Sequence, residues 1–145
     1  MVDDDDELRE SLAAYLRTAL HQTSVETATD GKKALERIER SPVDVLLVDY
    51  QMPGMDGIEL LERVRQIAPD CVRLMLTGRA DFEVAQRAVN EGHVFGFLTK
   101  GADPDEILGR VTAAVDAARM LLARRRAAEG TAQQNRRLRA GAFGR

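Results

Sequence analysis

Apolar residues return along this chain in two alternating rhythms, one of helices and one of short buried strands. Leu8, Leu12, Tyr15, Leu16 and Ala19 recur at helical spacing behind an acidic run and predict an amphipathic helix. Val25 to Ala28 alternates weakly as a strand, Asp30-Gly31 opens a second helix with Ala34, Leu35 and Ile38 on its apolar face, and Pro42 closes that unit. Val43, Val45, Leu46, Leu47 and Val48, interrupted only by Asp44, have the composition of a parallel strand buried on both faces, and the run ends at Asp49. Beyond a Pro53-Gly54 turn, Ile58, Leu61, Val64 and Ile67 mark a third helix, and Val72 to Leu76 returns as a strand ending at Thr77. Phe82, Ala85, Ala88 and Val89 line a fourth helix stopped by Gly92, with His93 in the following turn. Val94 to Leu98 is a strand ending near Lys100, and a last helix begins around Asp103 to Asp105.

Strands alternating with helices in this way predict a doubly wound α/β fold, a five-unit (βα)5 parallel sheet with a shortened first strand of Met1 and Val2. The last helix is extended: Ile107, Val111, Ala114, Ala118 and Leu121 recur about every 3.5 residues, and the helix is expected to run to about Ala128, before Gly130. Residues 130–145, rich in Gly, Gln and Arg without apolar periodicity, read as a disordered tail.

Composition narrows the setting. A chain of 145 residues, 44% hydrophobic, suffices for one domain with a real core. The single Cys71 cannot form an internal disulfide, and no Cys/His cluster has zinc spacing, so a reducing, cytoplasmic location is expected. No apolar stretch approaches the ~18 residues of a membrane span, and the N-terminus is acidic where a leader would be basic. The net charge of −3 hides an asymmetry: from Arg110 onward nine arginines face only Asp116 and Glu129, leaving an acidic globule with a basic tail. An arginine-dotted helix reads first as a solvated face, so nucleic acid is not the expected partner.

In parallel sheets covered on both sides, ligands bind at the carboxyl ends of strands. Here those ends carry Asp3 to Asp6, Asp49, Thr77 and Lys100. Each alone is mundane: a helix cap, a turn residue, a solvated strand end. Together they form a chemistry. Clustered carboxylates repel unless a cation sits among them, and oxygen-only ligands suit Mg²⁺. One carboxylate can then attack a phosphoryl group while a lysine and a hydroxyl stabilise its oxygens. His21 and His93 have no partner that makes them catalytic, and Cys71 reads as packing.

At this point the residues resemble the response-regulator receiver family of two-component signalling. Val2-Asp3-Asp4 looks like the acidic pair that ends its first strand. Leu47-Val48-Asp49-Tyr50-Gln51-Met52-Pro53-Gly54-Met55-Asp56-Gly57 matches its phosphoacceptor segment, and the likeness continues through Leu76-Thr77-Gly78 and Phe97-Leu98-Thr99-Lys100. The resemblance covers about residues 1–122 and implies a flavodoxin-like receiver there, with 123–145 a basic helical extension and tail. It implies Asp49 as the phosphoacceptor, with Asp4, Asp49 and the backbone carbonyl of Gln51 holding Mg²⁺ and Asp3 assisting through water. It also implies that Lys100 and Thr77 bind the phosphoryl group and that Phe97 is the aromatic that follows Thr77. The implied chain is a phosphoacceptor and not an enzyme. Its partners would be a sensor histidine kinase or phosphotransfer protein, an output domain or effector that the sequence does not name, and a second copy through the last helix.

Two departures stand out. Lys100 is followed by Gly101 where the family has proline, which predicts a trans peptide there. The first strand is a stub of two to four residues in a position that, in the receiver fold, lies between two neighbours. Two residues are expected to be too few to pair with both, which implies either residues ahead of Met1 in the natural protein or a weakened domain. Two other readings compete. A haloacid-dehalogenase-type phosphatase would need a second acid two residues after the nucleophile, where this chain has Gln51. A receiver-like binding module without phosphorylation would keep the fold alone.

Overall fold

Three parallel strands carry the sheet of the computed structural model, which describes residues 1–91 and 94–143. They are β1 (Val45–Asp49), β2 (Val72–Thr77) and β3 (Gly96–Thr99), side by side in that order. Val45 stands opposite Val72 and Asp49 opposite Leu76, while Thr77 stands opposite Thr99, so all three strands finish along one edge. Five helices surround them: α1 (Asp6–Ala19), α2 (Gly31–Arg40), α3 (Gly57–Ile67), α4 (Phe82–Asn90) and α5 (Pro104–Phe143), with a short 3-10 turn at Arg79–Asp81. The expected stop at Gly92 and turn at His93 lie outside the described residues.

Alternation along each strand sorts the core into two halves, because successive side chains point to opposite faces. Leu46, Val48 and Met75 pack with Ile38 of α2, Leu60, Leu61 and Val64 of α3, and Ala85 and Ala88 of α4. Leu47, Leu74, Leu76 and Leu98 pack on the other side with Leu12 and Leu16 of α1 and with Ile107, Val111 and Ala114 of α5. The sheet is therefore covered on both faces, as the near-continuous apolar strands require. Four helices begin on an aspartate whose carboxylate accepts an amide of the first turn: Asp5 from Leu8, Asp30 from Lys33, Asp56 from Glu59 and Asp103 from Asp105.

The N-terminal stub corrects the expectation that two residues cannot serve two neighbours. On one side the Val2 amide donates to the Leu47 carbonyl at 2.8 Å, and the Asp49 amide donates to the Val2 carbonyl at 2.9 Å. On the other, the Ala28 amide donates to the Met1 carbonyl at 2.9 Å and the Asp3 amide to the Ala28 carbonyl at 3.3 Å. Backbone groups of a strand alternate between its two edges, so even a three-residue stretch offers bonds to each. Val25 to Ala28, expected as a strand, is not one. Only Ala28 forms a bridge, because the stub beside it supplies a single rung. Of the expected five strands, the described residues thus hold three, plus the bridges of Val2 to Ala28 and Val48.

Next to the stub, a cavity of about 320 Å³ is lined by Leu16, Val25, Ile38, Val45 and Val111 among others. Filling it should stabilise the fold. Joining a four-residue apolar strand sequence ahead of Met1 is expected to add about 3 kcal/mol, from one or two ladder bonds and one buried side chain, roughly 10 °C in melting midpoint. An equally long Ser/Gly segment should add almost nothing. Equal midpoints for the two extended versions in thermal denaturation would contradict this.

The C-terminal expectation also needs correcting. α5 does not stop before Gly130 but runs 40 residues to Phe143, so residues 130–143 are helical and not a disordered tail. A helical glycine costs ~1 kcal/mol relative to alanine, and here Ala127, Ala128, Glu129, Ala132, Gln133 and Gln134, all strong helix formers, stand around it and outweigh Thr131. Arg125 of this helix pairs with Asp70 at 2.7 Å. No described helix is long and apolar enough to cross a membrane.

Candidate functional site

The edge where the strands end carries the chemistry. Asp49 closes β1, Thr77 closes β2, and Lys100 follows β3 by one residue. Asp3 and Asp49 are both buried, at 0% and 2% exposure, which is unusual for carboxylates and demands compensation. Part of it is present. Lys100 Nζ lies 3.0 Å from Asp49 Oδ2, and Asp3 Oδ1 accepts the Asp5 amide at 2.9 Å. The rest is missing: Asp3 Oδ2 and Asp49 Oδ1 are buried without a hydrogen-bond partner. One carboxylate oxygen each of Asp3, Asp4 and Asp49 lies within 4.8 Å of the others. Three converging oxygen donors, two of them buried with orphaned atoms, suit a hard divalent cation such as Mg²⁺.

The four consecutive aspartates divide three tasks among them. Asp3 and Asp4 join Asp49, Asp5 caps α1, and Asp6 pairs with Arg9 at 2.7 Å. Asp49 does not cap a helix; Asp56 does that for α3. Thr77 is fully buried, its hydroxyl donating to the Gly78 carbonyl at 3.1 Å. The Lys100 amide donates to the Thr77 carbonyl at 2.9 Å, so the two strand ends are tied together. The Lys100–Gly101 peptide is trans, since no described peptide is cis. Phe97 is half-buried, its ring edge-on to Phe82 with centroids 5.4 Å apart. Gln51 is exposed beyond β1, and its side-chain amide donates to Asp81 at 3.4 Å.

The electrostatics follow from this packing. Burial pushes the Asp3 carboxyl up, the Asp5 amide pulls it down, and the neighbouring Asp49 charge raises it further, to about 6 from 3.8. Burial works against the charged form of Lys100. The hydrogen bond and charge of Asp49, with the charges of Asp3 and Asp4, outweigh it and raise the lysine pKa. A carboxyl with a raised pKa binds its proton more tightly folded than unfolded, so metal-free stability is lost as pH rises from about 4 to about 6. Asp3→Asn should remove this loss. The melting midpoint of the native chain, measured in chelator, should therefore fall relative to that variant across this window. A constant difference between the two would contradict the assignment.

Elsewhere, His21 is exposed, and Cys71 is buried, its thiol pushed up to about 11 by desolvation, which leaves it inert. Arg9 was not legible as a site residue, although it occupies the apolar face of α1 beside Leu12, Ala13 and Leu16.

The family model of the response regulator receiver domain matches residues 1–112. The chain belongs to that family. Its parallel sheet wound on both faces is the flavodoxin-like receiver architecture, seen in a CheY-like receiver from Methanospirillum hungatei at 28% identity and a TM-score of 0.73, covering 82% of this chain and 93% of that one. A solved structure described as an adenylate cyclase from Rhodopirellula baltica is similar at 36% identity and a TM-score of 0.82, covering 88% and 93%. Among curated proteins, the hydrogenase transcriptional regulatory protein HoxA of Cupriavidus necator is 36% identical over 113 residues, which are 78% of this receiver and 23% of HoxA. The chain spans about a quarter of the length of such relatives.

Proposed function

We propose that this receiver accepts a phosphoryl group on Asp49 from a sensor histidine kinase or phosphotransfer protein, in the cytoplasm, and passes the change to an output domain or effector. The observation that carries this is Asp49 itself: a buried carboxylate with one oxygen on Lys100 and the other unpartnered, beside Asp3 and Asp4, with Thr77 ending the adjacent strand. One Asp49 oxygen forms a bond to phosphorus. The bond from phosphorus to the donor's leaving atom breaks, an imidazole nitrogen in a phosphohistidine or an acetate oxygen in acetyl phosphate, and its electron pair departs with the donor.

Asp4, Asp49 and the Gln51 carbonyl would hold Mg²⁺, with Asp3 assisting through water. When bound, the cation offsets charge on the phosphoryl oxygens. Lys100 exchanges its contact with Asp49 for a phosphoryl oxygen, and Thr77 turns its hydroxyl from the Gly78 carbonyl toward another. Because the Lys100 amide is tied to Thr77, both strand ends respond together, and Phe97 follows into the space left by Thr77. The switching face is thus the one around β2, β3 and α4.

Gln51 offers no proton-transfer group beside Asp49, so the acyl phosphate persists as a signal and the domain is a phosphoacceptor, not a phosphatase. The exposed stretch of α5 over residues 123–139 is the natural connection to an output or to a second copy of the chain. Acetyl phosphate should add one phosphoryl group per chain in Mg²⁺ and none in chelator, read by intact-mass spectrometry. Failure to label with Mg²⁺ present would favour a receiver-like binding module instead.

A further inference from the structure

Arg9 stands where an apolar residue is expected. It shares the buried face of α1 with Leu12, Ala13 and Leu16, and its side chain is 8% exposed. Burying a guanidinium is costly unless its donors are engaged. Nη1 donates to the main-chain carbonyl of Asp3 at 2.9 Å, and Nη2 donates to the Asp6 carboxylate at 2.7 Å. Nε has no hydrogen-bond partner among the described residues, and the exposed Glu10 carboxylate 3.5 Å away supplies charge only.

The position of those bonds gives Arg9 its meaning. Asp3 is the last residue of a stub held by two ladder bonds on each side, with the Met1 ammonium also donating to the Glu26 carbonyl, so Met1 and Val2 are fixed firmly and the residues after Asp3 less so. The Asp3 carboxylate meanwhile accepts the Asp5 amide, and Asp5 caps α1. Arg9 closes this loop from the helix side, joining the strand end, the acidic turn and the first turn of α1 through one planar group.

We propose that Arg9 is a positioning residue that holds Asp3 and Asp4 opposite Asp49, so that a divalent cation enters without reordering the loop. This rests on the metal reading given above. The hydrogen bonds of Arg9 go to the Asp3 main chain and to Asp6, so it acts through the backbone and not as a ligand.

The test compares four variants of the full chain: Arg9→Ala, Arg9→Lys, Asp6→Asn and Leu12→Ala. Asp6 is exposed, so Asp6→Asn loosens the clamp without touching the core, and Leu12→Ala lowers stability on the same helix face without touching the clamp. In calorimetric titration with Mg²⁺ alone, Arg9→Ala should bind about 10-fold more weakly than the native chain. Arg9→Lys and Asp6→Asn should shift the same way by less, and Leu12→Ala should leave the affinity unchanged. Labelling by acetyl phosphate in Arg9→Ala should recover at saturating Mg²⁺. In metal-free amide exchange, the Asp3 and Asp5 amides should lose protection in Arg9→Ala beyond the loss seen in Leu12→Ala. If Arg9→Ala does not fold, the Arg9→Lys and Asp6→Asn titrations decide. Affinities for Mg²⁺ equal to that of Leu12→Ala in all folded clamp variants would overturn the proposal while leaving the metal reading intact. A native chain that takes no Mg²⁺ would overturn both, whatever the exchange data show.

Discussion

Asp49→Asn is expected to abolish phosphoryl uptake while leaving the domain folded. The substitution keeps the shape of the side chain but removes its nucleophile, because an amide has no anionic oxygen to attack phosphorus at neutral pH. Folding should survive for an electrostatic reason. Asp3 and Asp49 are buried together, and the Asp49 charge is one of the influences that drive the Asp3 carboxyl up to about 6. Removing it relieves that repulsion. Lys100 loses its partner, but at 34% exposure water can take over the contact. The metal-free variant should therefore melt no lower than the native chain, with circular dichroism unchanged, while its labelling by acetyl phosphate falls to background. Labelling at the native rate would place the nucleophile elsewhere.

Gly57→Ala should be the most damaging single methyl that can be added near the site. A Cβ there would lie 2.5 Å from the Asp49 carbonyl oxygen and 2.8 Å from the Tyr50 Cα. Both are main-chain atoms, so no side chain can rotate aside. The Gly57 amide also donates to the Tyr50 carbonyl at 2.8 Å, which draws the start of α3 against the end of β1. The methyl must either break that bond or push the β1 end, and overpacking of this kind costs about 3 kcal/mol. The unfolding midpoint in urea should fall accordingly, and labelling should slow because the displaced atoms belong to Asp49 and its neighbour. A variant as stable as the native chain would mean that α3 docks less closely than 2.5 Å implies.

Much of this architecture could be read from the chain before any coordinates. Val45–Asp49 and Val72–Thr77 are strands because apolar β-branched and leucine side chains must be buried on both faces, and that same rule put Asp49 and Thr77 at the sheet edge. Helical spacing gave α1 to α4 their buried stripes. The failures have physical causes as well. Val25 to Ala28 carries Glu26 and Thr27 and has a stub for a neighbour, so weak alternation was not enough to make a strand. Gly130 could not stop a helix when most residues on both sides of it favour one. Spacing alone could not divide four adjacent aspartates among two site positions, one cap and one ion pair, since that depends on where the strand ends and the helix begins. The Arg9 clamp left a trace, a charge on an apolar stripe, but only the fold reveals the Asp3 carbonyl beneath it.

A phosphoryl group carried on Asp49 can be located by chemical trapping. The chain is incubated with acetyl phosphate and Mg²⁺, the acyl phosphate is reduced with borohydride, and the peptides are sequenced by mass spectrometry. Reduction converts a phosphorylated aspartate to homoserine, which should appear at position 49 and at no other aspartate. Homoserine at Asp3, Asp4 or Asp56 with Asp49 intact, or a phosphoryl group that survives acid and resists reduction, would contradict phosphorylation of Asp49.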